Sequence, residues 1–174
     1  MQIWLEQVRD EPFAWDETLH VDLEDFESPD VVAVGPVEYG GRLVFAEPGF
    51  LLKARLSYEQ TLSCTRCLRT FVERMEPEFE LLLLPPSELS AAESELGARD
   101  LGIWPLEGET FRTEPVAREQ VQLNVPMKPL CRPDCQGLCP TCGQDLNAGE
   151  CSCAAPPDPR WGALAALRER IDKT

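Results

Sequence analysis

Three features of this sequence predict an α+β fold: mainly an antiparallel β meander or small barrel-like sheet, followed by a cysteine-rich C-terminal region and a terminal helix. Between Val31 and Phe79, apolar residues alternate with polar ones and turn residues recur every few positions, which is a hairpin signature. Helical periodicity appears only late, over Glu114–Val125 and from about Pro159 to Asp172. Six of the eight cysteines fall between Cys131 and Cys153.

At 174 residues the chain can bury a real core, so cysteine staples are not needed for want of apolar material. The expected organisation is a β-rich body over residues 1–127, with an acidic insertion at about 85–110, and a cysteine-rich lobe with the C-terminal helix over residues 128–174. The lobe is expected to be clamped to the body. Met1 to Asp10 carries neither a basic leader nor an apolar run of signal-peptide length. No apolar run is long enough to cross a bilayer; Leu81–Leu84 is the longest leucine tract. A cytoplasmic protein is therefore expected, in which clustered thiols stay reduced and hold metal more readily than each other.

The net charge of −15 argues against a protein that coats nucleic acid with a broad basic face. From Lys128 onward, six basic residues balance six acidic ones, so the whole excess lies in the first 127 residues. One island there is reversed. Leu51–Met75 holds Lys53, Arg55, Arg66, Arg69 and Arg74 against only Glu59 and Glu73.

Taken in order, Leu19, Val21 and Leu23 sit two apart and read as a half-buried strand, with His20, the only histidine, at an exposed position. Val31–Val34 is a β-branched strand, and Val37–Tyr39 is a short one that stops at Gly40-Gly41. Leu43–Phe45 leads into a turn at Glu47-Pro48-Gly49. Phe50–Leu62 is a long strand with Leu52, Ala54, Leu56 and Tyr58 on one face. Cys64 and Cys67 fall at its end, and the next strand is expected over Leu68–Leu84. A capping box at Ser90–Glu93 marks a short helix within Ser87–Leu96, and Glu88–Glu109 reads as an exposed loop within which Trp104-Pro105-Leu106 docks back on the body. Pro115 suits the first turn of the Glu114–Val125 helix, whose stripe is Val116, Ala117, Gln120, Val121, Leu123 and Asn124. Asp158 caps the final helix, with Trp161, Leu164, Ala165, Leu167 and Ile171 on one side.

The cysteines carry the chemistry. Zinc takes four ligands in a tetrahedron and thiolate suits it, so eight cysteines divide into two closed sets. One partition groups Cys139, Cys142, Cys151 and Cys153, and leaves Cys64, Cys67, Cys131 and Cys135 as the other. The rival partition groups Cys131, Cys135, Cys139 and Cys142, leaving Cys64, Cys67, Cys151 and Cys153. The first closes shorter loops and is preferred. Neither leaves an open coordination position, so the two zinc ions would be structural. Cys64-Thr-Arg-Cys67 also has the spacing of a redox pair, with Arg66 and Arg69 placed to lower a thiolate pKa. A redox pair explains two cysteines and leaves six; metal explains all eight. No Gly-rich phosphate loop, nucleophile elbow or second histidine is present, so the reading is not an enzyme and has no small-molecule substrate.

These motifs carry a family resemblance. Cys64-Thr-Arg-Cys67-Leu68 resembles the Cys-x-Arg-Cys-Leu of the YceD family, the large ribosomal RNA subunit accumulation proteins. Glu119-Gln120 through Leu123 to Pro126, then Pro129-Leu130-Cys131, and Gly137-Leu138-Cys139-Pro140 through Cys142-Gly143 and Leu146-Asn147 to Cys153, are similar to its later segments, as is Asp158-Pro159-Arg160-Trp161. The resemblance implies a role in synthesis, processing or stability of large-subunit ribosomal RNA, and brings no catalytic residue with it. Three readings follow. One is a zinc-binding accessory factor in ribosome biogenesis, engaging a ribosome assembly protein or the RNA itself through Arg66, Arg69 and Arg74 and the terminal helix. The others are a thiol-disulfide oxidoreductase using Cys64 and Cys67, and a structural protein-binding adaptor.

Overall fold

A computed structural model describes residues 1–22, 24, 26, 28–86, 102–153 and 160. The expected helices within Ser87–Leu96 and from Pro159 onward, and Leu23, lie outside the described residues. The chain divides into two compact units. Met1–Thr65 with Arg69–Cys131 forms one; Arg66–Leu68 with the described chain from Arg132 onward forms the other.

The first unit is built on an open, seven-stranded, mostly antiparallel sheet. Its longest strand, β5 (Gly49–Ser63), has the expected alternation and buries Leu52, Leu56, Tyr58 and Leu62. On one edge β5 pairs with β4 (Val37–Ala46) and β3 (Val31–Val34); on the other it pairs with β7 (Glu78–Leu84) and β6 (Thr70–Met75). The turn between β4 and β5 falls at Glu47-Pro48, with Ala46 opposite Gly49. A second edge is β2 (Phe13–Leu19), paired along its length with β4. Two helices, α1 (Leu5–Asp10) and α2 (Thr113–Leu123), add Leu5, Val8, Val116, Ala117 and Val121 to the same core as Trp15, Tyr39 and Leu43.

Several expectations are corrected. The strand in place of the one expected over Leu19–Leu23 is β2, which ends at Leu19, so His20 is an exposed residue one position beyond it. The chain does not stop at Gly40-Gly41: β4 runs through both glycines to Ala46. The reason is a close approach, because a Cβ on Gly41 would lie 2.6 Å from Cη2 of Trp15. That ring meets Tyr39 edge-on at 5.6 Å and fills the space a side chain would take. The span expected as one strand from Leu68 to Leu84 is two, broken at Glu76-Pro77, where proline cannot donate to a ladder.

The region expected as an exposed loop holds β8 (Ile103–Pro105), which runs parallel to β7 and delivers a buried Leu106. It is followed by β9 (Thr110–Arg112), paired with β1 (Gln2–Trp4), a pair of strands too short to show a period. Within α2 the stripe is narrower than expected, since Leu123 is 68 % exposed. α2 also carries an Arg118–Glu114 ion pair at 2.9 Å with i,i+4 spacing. Among the described residues, no helix is long and apolar enough to cross a membrane.

In the second unit, Leu138 and Asp145 form a bridge, supported by Cys139 N–H donating to the Gln144 carbonyl at 2.8 Å and Leu146 N–H to that of Gly137 at 2.9 Å. This is a miniature hairpin with Cys139 and Cys142 at its tip.

Gly41→Val should therefore lower stability by about 1–3 kcal/mol through forced displacement of Trp15. Gly102→Ala, whose new carbon would meet only the Glu80 carbonyl at 3.8 Å, should be close to neutral. Denaturant midpoints of the two variants check this.

Candidate metal centres

Both Cys-x-x-Cys turns reverse the chain sharply, the first after a strand and the second after the isolated Leu138 bridge. At the first, β5 ends at Ser63, and Cys64 N–H donates to the Arg69 carbonyl at 2.9 Å, prolonging the ladder by one rung. Thr65 is tied down separately, its N–H and its hydroxyl both donating to the Pro129 carbonyl, at 3.0 Å and 3.2 Å. At the second, Gly143 N–H donates to the Cys139 carbonyl at 2.9 Å, and Thr141 N–H points at the Cys139 sulfur at 3.4 Å.

The residue after the second cysteine is left-handed in both turns: Leu68 at φ 60° and Gly143 at φ 73°. Glycine adopts that conformation freely, whereas leucine is strained there by about 1–2 kcal/mol. The shared backbone turns both sulfurs of each pair toward one point.

The eight sulfurs gather in the first of the two partitions. Those of Cys64, Cys67, Cys131 and Cys135 lie within 4.8 Å of one another, and so do those of Cys139, Cys142, Cys151 and Cys153. A tetrahedron with metal–sulfur bonds of about 2.3 Å has edges of about 3.8 Å, so small side-chain adjustments suffice for either set to close on an ion. No two of the cysteines are joined in a disulfide. Both sets could thus hold a metal ion, with four thiolates each and no position left for a reacting molecule.

The sets differ in exposure. Cys64, Cys67 and Cys135 are 0 %, 4 % and 1 % exposed, whereas Cys142 is on the surface. Burial of Cys64 and Cys67 also weighs against the redox alternative, since an exchanging thiolate must be reached by its partner. In the second set the ionisations conflict. Backbone N–H groups of Cys142 and Thr141 aimed at the Cys139 sulfur, together with the Cys151 thiol, hold the Cys139 thiol down at about 6. A hydrogen bond with Cys142, with burial and the neighbouring sulfurs, pushes Cys153 up to about 12. Four sulfurs this close cannot all ionise beside one another unless a cation sits among them. A divalent ion removes the conflict, because coordinated thiols are deprotonated outright.

The three candidate partner-binding arginines have distinct settings. Arg66 donates to the Cys135 carbonyl at 2.8 Å and so has work inside its own unit. Arg74 is ion-paired with Glu76 at 2.8 Å, both side chains largely exposed. Arg69 is exposed, and its carbonyl accepts from Cys64. His20 belongs to neither thiol set. A residue that the sequence reading passed over is Leu68, 66 % exposed in its strained conformation; the signal was a leucine where the second turn has glycine.

Two outcomes check this geometry. In metal-loaded protein, a limiting chelator followed by alkylation should label Cys142 before Cys64 or Cys67, as read by peptide mapping. Leu68→Gly should hold or raise stability by up to about 1 kcal/mol, whereas Leu68→Val, β-branched at a positive φ, should lower it.

Comparison with known proteins fits this order of motifs. A family model described as the large ribosomal RNA subunit accumulation protein YceD matches residues 52–168. The chain is also 30 % identical over 129 residues to proteins of Mycobacterium bovis and Mycobacterium tuberculosis that are named only as uncharacterized. These matches take in 72 % of the chain and 59 % of each relative's length. No solved structure matches it. The matched span runs from within β5 through both thiol sets, and on that ground the chain belongs to the YceD family of large ribosomal RNA subunit accumulation proteins.

Proposed function

We propose that this protein is a non-enzymatic, zinc-binding accessory factor in the synthesis, processing or stability of large-subunit ribosomal RNA, acting in the cytoplasm during ribosome biogenesis. The observation that carries the reading is the pair of closed four-thiol sets inside the matched family span. Zinc is the ion of choice because it is redox-inert, accepts four thiolates in a tetrahedron, and is held structurally when no position is open. Each ion would then fix a sharp turn rather than activate a substrate.

What the turns would present is a docking site. Leu68 keeps a strained conformation while remaining 66 % exposed, so its strain is not repaid by burial within the chain. Beyond it, Val72 is 62 % exposed on β6, with Arg74 two residues further on the same face. An exposed leucine in one unit and, in the other, an exposed valine and arginine on one face of β6 suit a partner that is apolar with acidic groups, or a short RNA site. The acidic remainder would repel non-specific RNA. The partner is thus a ribosome assembly protein or the ribosomal RNA itself.

Elemental analysis of protein purified without chelator should give two zinc ions per chain. One ion would mean that half the cysteines serve otherwise, and none would return the redox reading to the front. Because Arg66 supports Cys135, charge reversal is better confined to Arg69→Glu with Arg74→Glu, alongside Leu68→Gly. Both changes should abolish co-sedimentation with ribosomal precursors while leaving zinc content and stability intact. Unchanged co-sedimentation in both would remove this face from the proposal.

A further inference from the structure

The side chain of Asn147 is unusual for a loop residue in that all four of its hydrogen-bonding positions are used. Its Oδ1 accepts from Arg132 at 2.8 Å and from the backbone N–H of Gln136 at 2.8 Å. Two donors facing that oxygen fix which way the amide points. Its Nδ2 therefore faces the other way, donating to Asp145 Oδ1 at 2.6 Å and to the Cys135 sulfur at 3.5 Å. Asp145 Oδ1 also takes the Asn147 backbone N–H at 2.9 Å, which holds the residue at the start of its turn.

Asn147 thus touches a sulfur of one thiol set while it follows the hairpin that carries two members of the other. It directly follows the second arm of the hairpin whose tip carries Cys139 and Cys142, with Cys139 N–H on Gln144, Leu146 N–H on Gly137 and Leu138 bridged to Asp145. An ion on Cys139, Cys142, Cys151 and Cys153 would close the tip and bring both arms into register. In that register the Asn147 amide meets Cys135. A hydrogen bond to a metal-bound thiolate orients the ligand and disperses its charge, and loss of such an outer contact typically lowers metal affinity about 10- to 100-fold.

We infer that Asn147 couples the two metal centres: loading of the Cys139/Cys142/Cys151/Cys153 set places its amide on Cys135 and strengthens metal binding by the Cys64/Cys67/Cys131/Cys135 set. Asn147 is a positioning residue, since it acts through Cys135 and has no place among the eight ligands. The coupling is reciprocal, so metal on the buried set tightens the exposed one by the same factor. The inference rests on the metal-binding reading given above, and its own failure is distinguishable from failure of that reading.

The test uses the full chain, reduced and metal-free, titrated with Co(II), whose thiolate charge-transfer absorption reports occupancy, with zinc competition for affinities. Three variants are compared with the parent: Asn147→Asp, which keeps the acceptor oxygen and loses the donor; Cys139→Ser with Cys142→Ser, which disables the exposed set; and their combination. Asn147→Asp should weaken the buried set about 10- to 100-fold and shift its charge-transfer band, leaving the exposed set's intrinsic affinity unchanged. Disabling the exposed set should weaken the buried set by a similar factor, and the combination should add nothing further.

Should the cysteine variants fail to fold, Asn147→Ala in the intact chain carries the same expectation for buried-set affinity and band position. Two ions bound at parent affinities in both Asn147 variants, or losses that multiply in the combination, would overturn the coupling alone. A parent chain that binds no Co(II) or zinc would overturn both the coupling and the metal-binding reading.

Discussion

The structure depends on the pairing of β5. A strand has two edges, and along its fifteen residues β5 shares them among four partners, β4 and β3 on one side, β7 and β6 on the other. In its first part β4 pairs with Gly49–Ser57 and β7 with Phe50–Arg55; in its last part β6 pairs with Tyr58–Ser63 and β3 with Gln60–Leu62. Over Phe50–Arg55 and Gln60–Leu62 the strand has a paired strand on each side, which leaves most of both edges of β5 covered. The strand places Leu52, Leu56 and Leu62 in the interior and ends one residue short of Cys64. The position of the first thiol pair is thus set by the register of the most fully paired strand in the fold.

The segment from Arg132 to Cys153 has a different basis. It contains one bridge, a few backbone hydrogen bonds and little apolar material beyond Leu138, Cys135 and Cys139. A piece of this size cannot offset its ordering entropy with burial, and small scaffolds of this kind take a staple. Two four-thiol sets fit that need. The free energy of metal binding would then be the folding free energy of this segment, while the β-rich unit holds together through its own core.

Placing the two turns side by side explains an oddity in the first. Gly143 meets the positive φ that a Cys-x-x-Cys turn demands without strain; Leu68 meets the same demand at a cost and shows its side chain to solvent. Two turns with one backbone and two different residues separate what the turn requires from what it displays. On the proposed reading the turn is a scaffold held by metal, and the leucine is what a partner meets. The acidic excess elsewhere would make that meeting selective rather than strong.

Much of this was legible in the residues themselves. Period-two alternation located β5, because that strand has one face more buried than the other, while β-branched and turn residues located β3 and the turn at Pro48. Cysteine spacing and ligand number located the eight thiols and favoured the grouping in which their sulfurs are gathered. Where local pattern misled, a distant contact was responsible. Gly40 and Gly41 look like a stop until Asp16 and Trp15 are laid against them from β2. Leu123 looks like part of a stripe until α2 meets its neighbours. β1 and β9 are three residues each and exist only as each other's partners, a hundred residues apart. Asn147 shows nothing in sequence but a polar residue in a loop; its four hydrogen bonds appear only when the hairpin closes. The sequence by itself determined the β-rich class and the eight clustered thiols, because periodicity and thiol spacing are local properties. The tertiary structure decided which sulfurs meet, which glycines are covered and which leucine is left in water, because those depend on what the chain brings back from far away.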